Sequence, residues 1–239
     1  MIAFADVIKS FGDRRVLNGM TLDMAERGIT CLLGASGCGK STALRVAAGL
    51  IAPDAGSLHI PAGSCGVVFQ DSRLLPWLTT EENLALALPS AQRGAEAALR
   101  VAQVLREVAL DPRETGKLFP RELSGGMAQR VALARSLICK PEILLLDEPL
   151  GALDSFTRMN MQDEILNIWR QTGQLTIMVT HDVDEAIYMG TRVLVMEPHP
   201  GRIMGEIPIE LDYPRNRSSS KFVEYRNQIL DMLHFGSKE

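Results

Sequence analysis

The stretch GASGCGKS, Gly34 to Ser41, stands between the apolar run GITCLL, Gly28 to Leu33, and the helix-like run KSTALRVAAGL, Lys40 to Leu50. Gly34, Gly37 and Gly39 let the backbone curl so that several N–H groups point inward, a shape suited to phosphate oxygens. A helix starting at Lys40 adds its positive dipole end. Lys40 then supplies a counter-charge for the β- and γ-phosphates, and the Ser41 hydroxyl a ligand for Mg²⁺. The spacing is that of GxxxxGK[ST] set between a strand and a helix, a phosphate-binding loop. Cys38 reads as a small residue fitted to the tight turn, although helix-start amides would lower the pKa of a thiol there.

Outward from the loop, an α/β rhythm appears. IAFADVI, RVLNGMTLDM and GITCLLG read as N-terminal strands, and APDAGSLHI as a turn leading into another. In the helix after the loop, Leu44, Ala47 or Ala48, and Leu50 form a candidate apolar face. CGVVFQ reads as a short buried strand ending at Gln70. From Asp71 to about Lys140 the texture changes to an inserted helical stretch. There EENLALAL and RGAEAALRVAQVLREVAL have helical spacing, with Leu99, Ala102, Leu105 and Ala109 as the expected buried face. The strands EILLLDEP, LTIMVT and RVLVME then alternate with helices closed by Gly173 and Gly190. Near-continuous apolar strands alternating with helices imply a mainly parallel sheet covered on both faces. A polar tail from about Glu210 ends in a helix near 221–235, and DYPRNRSSSK before it reads as a solvated linker.

Ligands in open α/β sheets bind at the carboxyl ends of the strands, so the residues there are candidates. Asp147 ends ILLLD and would meet the Mg²⁺ shell; Glu148, one residue on, is placed to polarise an attacking water. His181 follows LTIMVT, where a neutral imidazole could bridge a γ-phosphate and water. Gln70 ends GVVFQ, where its amide can touch Mg²⁺ or water while its backbone leads into the helical stretch. LSGGMAQR, Leu123 to Arg130, is a second helix start. Ser124 can cap it, Gly125 and Gly126 leave its amides open, and Met127, Val131, Ala134 and Ile138 make one stripe. Taken alone, it is a plain N-cap.

In its 239 residues, 46% hydrophobic and 23% charged, the chain has enough apolar content for a substantial core. Its net charge of −4 argues against nucleic acid as a partner. Four cysteines with no CxxC spacing exclude a zinc or disulfide framework and fit a reducing compartment. The N-terminus lacks the order of a signal peptide, and no apolar run reaches the ~18–20 residues that span a bilayer.

These motifs, in this order, resemble those of ATP-binding-cassette (ABC) ATPases, specifically the nucleotide-binding subunits of bacterial importers, from Met1 to about Ile209. GASGCGKST matches the family's Walker A, VVFQ its Q-loop, LSGGMAQR its signature, ILLLDEP its Walker B, GALD its D-loop and THD its switch histidine. The resemblance implies a P-loop NTPase core, RecA-like, with an N-terminal antiparallel β-subdomain and an inserted helical signature subdomain. It implies ATP and Mg²⁺ as ligands. ATP would contact Phe11, Gly34, Ala35, Ser36, Gly37, Cys38, Gly39, Lys40, Ser41, Thr42, Gln70, Ser124, Gly125, Gly126 and Asp154. Mg²⁺ would meet Ser41, Gln70 and Asp147, and catalysis would fall to Glu148, His181, Lys40 and Gln70.

In this family two copies pair head-to-tail, so each ATP lies between one subunit's Walker A and its partner's signature. The implied setting is peripheral, on the cytoplasmic face of the inner membrane. The implied partners are integral-membrane permeases and, indirectly, an extracytoplasmic solute-binding protein. Phe11 stands where relatives often have tyrosine, and Met127 where many have glutamine; ring stacking and the Ser-Gly-Gly contact survive both changes. QDSRLLPWLTTEENLAL and MEPHPGRI resemble the nitrate, sulfonate and taurine import branch. Leu74, Leu75, Pro76 and Trp77 either face the core or form an apolar patch that receives a permease helix. The rival expectations are a non-transport cassette ATPase acting on an envelope or nucleic-acid process, and a P-loop small-molecule kinase.

Overall fold

The computed structural model describes residues 2–24, 27–60, 65–89, 94–197 and 200–235, with side chains described as far as Leu233. Pro198 and His199 of MEPHPGRI lie outside the described residues. In chain order the elements begin with β1 (Ile2–Phe11), β2 (Arg14–Met24), β3 (Gly28–Leu33), α1 (Lys40–Ala47), β4 (Ala55–His59) and β5 (Cys65–Val68). The helices α2 (Thr80–Ala85), α3 (Ala95–Glu107), α4 (Pro112–Thr115) and α5 (Gly125–Leu137) follow. The chain continues with β6 (Ile143–Asp147), α6 (Ser155–Thr172), β7 (Leu175–Thr180), α7 (Val183–Met189), β8 (Arg192–Glu197), β9 (Arg202–Pro208) and α8 (Ser220–Phe235). Two compact units result, one of Met1–Ala62 with Leu175–Glu239, the other of Gly63–Gln174.

In the first unit β2, β1 and β4 form an antiparallel sheet in that order. Met20, Leu22 and Met24 of β2 are buried while Thr21 and Asp23 are exposed, the two-residue period of a strand with one covered face. By contrast, every residue of β3 and β7 is buried. These two runs pair parallel, β3 also pairs parallel with β8, and β9 joins β8 antiparallel, giving a mixed sheet. β-branched and apolar side chains on both faces suit such central strands. Leu33 lies opposite both Thr180 and Val195, so β3, β7 and β8 end level with one another.

The second unit pairs β5 with β6 in parallel, Val68 opposite Leu146. Between Gln70 and Ile143 every regular element described is helical. Local sequence sets the helix ends. Thr79 and Glu82 form a capping box at α2, Asp111 with Pro112 opens α4, and Gly173, at φ 63°, closes α6 in the left-handed conformation.

Four expectations change. On α3 the buried residues are Ala97, Val101, Val104 and Leu105, while Leu99 is 73% exposed and Ala109 also faces solvent. An Ala/Leu-rich helix offers more than one apolar stripe. The stripe holding three of these large side chains is the one that is buried, each worth roughly 1.5–3 kcal/mol when removed from water. Helix α1 ends at Ala47, so Leu50 falls beyond it and is exposed. β5 is only half covered, with Cys65 exposed. The DYPRNRSSSK stretch is anchored rather than freely solvated, because Arg215 is buried against backbone carbonyls.

Candidate nucleotide site

In the first unit Gly34 begins the loop one residue past Leu33, and His181 follows Thr180 at the level end of the neighbouring strand. The loop and the histidine thus share one sheet edge. Ala35, Ser36 and Gly37 are exposed there, and Cys38 is buried, as the tight-turn reading requires. Gly39 is the N-cap of α1 at φ 105°, and a Cβ on it would meet Leu17 Cδ2 at 2.9 Å. Only glycine fits on both counts, and having no side chain it leaves the first amides of α1 uncapped. Lys40 is buried and its Nζ donates to the carbonyls of Gly34 at 2.8 Å and Ala35 at 2.9 Å, so the ammonium is drawn into the loop. Ser41 and Thr42 follow in the first turn of α1, partly buried. A curled loop, a buried cation and an uncapped helix start fit a nucleotide's phosphates. Phe11, at the end of β1, is 52% exposed, with the Lys9 ammonium 5.6 Å from its ring centroid.

In the second unit Asp147 is the last residue of β6 and is buried; Glu148 follows, partly buried. Glu148 adopts φ 46°, a left-handed backbone that a non-glycine residue holds only where its surroundings enforce it. Gln70 lies two residues past the end of β5, at the same edge as Asp147. The tips converge: a Cβ placed on Gly151 would stand 3.6 Å from Gln70 Nε2 and 3.8 Å from Glu148 Oε2. The GALD segment therefore passes directly beside both groups, within ordinary contact distance of each. Asp154 closes that segment as the N-cap of α6. It accepts from the amides of Phe156 and Thr157, each at 3.1 Å. Hydrogen bonds from Thr157, side chain first and then amide, hold the Asp154 carboxyl below its ordinary value.

Helix α5 begins as expected, with Ser124 Oγ accepting from the Met127 amide at 3.2 Å. Its two glycines differ. A Cβ on Gly126 would strike Thr157 Cγ2 at 2.6 Å, so that glycine lets α5 approach the start of α6. Among the described residues nothing lies within 4 Å of a Cβ on Gly125, and its φ is ordinary. No contact with a described residue of the subunit explains glycine there. Further along, Val131, Ala134 and Ile138 are buried while Met127 is partly exposed.

Three residues that sequence reasoning did not single out hold the Gln70 segment. Gln129, buried on α5, donates to the Phe69 carbonyl at 3.1 Å; Arg135 donates to those of Ser72 at 2.9 Å and Arg73 at 2.8 Å. Arg73 itself stacks over the Phe69 ring at 4.0 Å. The helix that starts at Ser124 thus grips the chain on both sides of Gln70. Arg130 pairs with Glu164 at 2.7 Å and ties α5 to α6 as well. The available signal was a run of polar residues, Gln129, Arg130 and Arg135, beside a helical stripe.

Residues 17–151 match the family described as ABC transporter. The chain belongs to that family. Among its curated relatives, it is 44% identical over 222 residues to an aliphatic sulfonates import ATP-binding protein of Bacillus subtilis strain 168, covering 90% of this chain and 86% of that one. A protein of the same name from Ralstonia nicotianae is 44% identical over 239 residues, covering 97% and 81%. Among solved structures, a dimeric ATP-binding cassette in a post-hydrolysis state, bound to ADP and Pi, shares 29% identity with a TM-score of 0.78. It covers 89% of this chain and 100% of that one. A dimeric bacterial ABC transporter cassette gives 29% and 0.77. The fold is thus the ABC cassette fold, α/β with an antiparallel sheet, a mixed sheet and helices. ABC cassettes as a family bind and hydrolyse ATP.

Proposed function

We propose that this chain is the ATP-hydrolysing subunit of an ABC importer, working as a head-to-tail pair and driving uptake of organosulfonates or related anions. The observation that carries the shared site is the start of α5. It is capped, it holds a glycine that no described contact in its own subunit requires, and it opens to solvent. A solvent-open helix start of this kind suits a phosphate brought from outside the subunit. In the proposed cycle Lys40 and the loop amides hold the β- and γ-phosphates of one ATP, and Phe11 stacks on the adenine. Ser124, Gly125 and Gly126 of the second copy close over the γ-phosphate, with Asp154 beside them. Ser41, Gln70 and Asp147 would hold Mg²⁺, which screens phosphate charge when bound. Such a site needs only one or two carboxylates beside the substrate's phosphates, and Asp147, buried at the end of β6, fits that need. Glu148 takes the proton of the attacking water, His181 orients the γ-phosphate, and ADP and phosphate leave as the pair reopens.

Coupling to permeases at the cytoplasmic face of the membrane needs an exposed apolar surface, and no described helix is long and apolar enough to cross a membrane itself. Trp77 is 69% exposed, which favours the interface reading of LLPW over the core reading. Leu86, 59% exposed, lines a cavity of about 510 Å³ between α2 and α3. A permease segment is the proposed occupant, and the solute-binding protein acts through the permease. The relatives named above support import of sulfonates over a non-transport role.

Glu148→Gln tests the reading. It should lower hydrolysis about 10²–10⁴-fold, the usual worth of a general base, and trap an ATP-bound dimer visible by light scattering. A variant that stays monomeric with ATP and Mg²⁺ would overturn the shared site.

A further inference from the structure

The segment after β9 touches α7 at both ends. At the carboxyl end of α7 the carbonyls have no partner within the helix. There Arg215, buried, donates through Nη1 to the carbonyls of Ile187, Tyr188 and Gly190, and Tyr213 Oη donates to that of Met189. Arg215 is itself fixed by Nε and Nη2 bonds to Leu211 and Ile209 carbonyls, at 3.0 and 3.3 Å. A buried cation at a helix carboxyl end also meets the negative end of its dipole. In the first turn of α7, Arg226 of α8 makes a two-pronged pair with Asp184, Nε to Oδ1 at 2.6 Å and Nη2 to Oδ2 at 2.7 Å. Phe222 and Ile229, fully buried, seat α8 itself.

His181 stands between Thr180, the last residue of β7, and Asp182, the N-cap of α7. Thr180 Oγ1 accepts from the Asp182 amide and Asp182 from the Glu185 amide, both at 3.0 Å, so this short turn is as firm as the helix behind it. Helix α7 is only seven residues long, and an isolated helix of that length has little stability of its own.

We infer that the segment from Leu211 to α8 is a strap that clamps α7 and so holds the His181 turn in its working position, with Arg226 and Asp184 as positioning residues. The inference rests on the proposed role of His181 in hydrolysis. The strap reaches both ends of the helix that follows this exposed residue, adding the Arg215 and Arg226 contacts to the turn's own bonds. Loss of the clamp therefore changes catalysis more than it changes nucleotide binding, since the phosphate loop carries its own contacts.

The test is a double-mutant cycle in the full chain with Arg226→Ala and His181→Ala, joined by Asp184→Ala and the exchanged pair Asp184→Arg with Arg226→Asp. Arg226 and Asp184 are partly exposed, so these variants fold, as a melting curve verifies, whereas Arg215→Ala risks unfolding. Arg226→Ala and Asp184→Ala should each lower kcat roughly three- to fivefold, the size of one exposed charge pair, with ATP affinity unchanged. Amides 183–189 should exchange faster, and the exchanged pair should recover part of the loss. In the His181→Ala background Arg226→Ala should have no further effect on single-turnover hydrolysis. Wild-type kcat in Arg226→Ala while His181→Ala is impaired, or an equal loss in both backgrounds, overturns the strap alone. Wild-type kcat in His181→Ala overturns the role of His181 and the strap with it.

Discussion

The two glycine-rich helix starts, at Lys40 and at Ser124, share a vocabulary and differ in almost every physical respect. The first is built around itself: a left-handed Gly39 packed on Leu17, a lysine drawn into its own loop, no side-chain cap. The second is relaxed: a serine cap, an ordinary backbone, and a Gly125 that faces nothing. Strain and burial at the first indicate a cradle whose contents sit inside one subunit. Openness at the second indicates a surface completed by something else. On the proposed reading, one motif is explicable from its own chain and the other takes its meaning from a second molecule.

The sharpest way to break that contrast is to disable each start in turn. Lys40→Ala should abolish ATP binding by the isolated subunit. Ser124→Arg should leave that binding within about twofold while removing hydrolysis by 10²-fold or more, the order expected when a transition-state contact is lost. Equilibrium nucleotide titration and phosphate release measure the two quantities separately. Equal loss of binding in both variants would erase the distinction.

Smaller effects sharpen it. Gly39→Ala meets a left-handed φ and a 2.9 Å contact with Leu17, and should destabilise the fold by roughly 1–3 kcal/mol in denaturant titration. Gly125→Ala meets neither, and should leave stability unchanged or raise it by about 0.5–1 kcal/mol while hydrolysis falls. Stability lost at 125 would point to an internal reason for that glycine. Ser124→Ala removes the cap and should cost about 1 kcal/mol, a shift of roughly 2–4 °C in Tm, with hydrolysis reduced less than in Ser124→Arg.

Much of this was legible from residue order alone. Near-continuous apolar runs such as GITCLL and LTIMVT read as buried strands, with the groups at their carboxyl ends on one sheet edge. Caps at Ser124 and Asp154 and the stop at Gly173 follow from local chemistry that operates over a few residues. What escaped depends on contacts distant in sequence. On α3, alanine and leucine lie on several faces, so periodicity found Leu105 but could not tell Val101 and Val104 from Leu99. Gln129 and Arg135 look like solvent-facing polar residues until the Gln70 segment, some sixty residues earlier, is folded against them. Gly151 became informative only where Gln70 and Glu148 converge on it. The tail read as linker because arginine and serine are usually solvated; Arg215 is buried because helix α7 presents it with carbonyls that need donors.

The central claim is that Lys40 of one chain and Ser124 of another serve the same ATP, and subunit mixing tests it most directly. Lys40→Ala and Ser124→Arg subunits, each inactive alone, are co-expressed with different tags and the mixed dimer is purified through both. A site shared across a head-to-tail interface leaves one of its two sites with both an intact loop and an intact signature. The mixed dimer should then hydrolyse ATP in a single turnover where neither parent does. A verified mixed dimer as inactive as its parents would contradict the account.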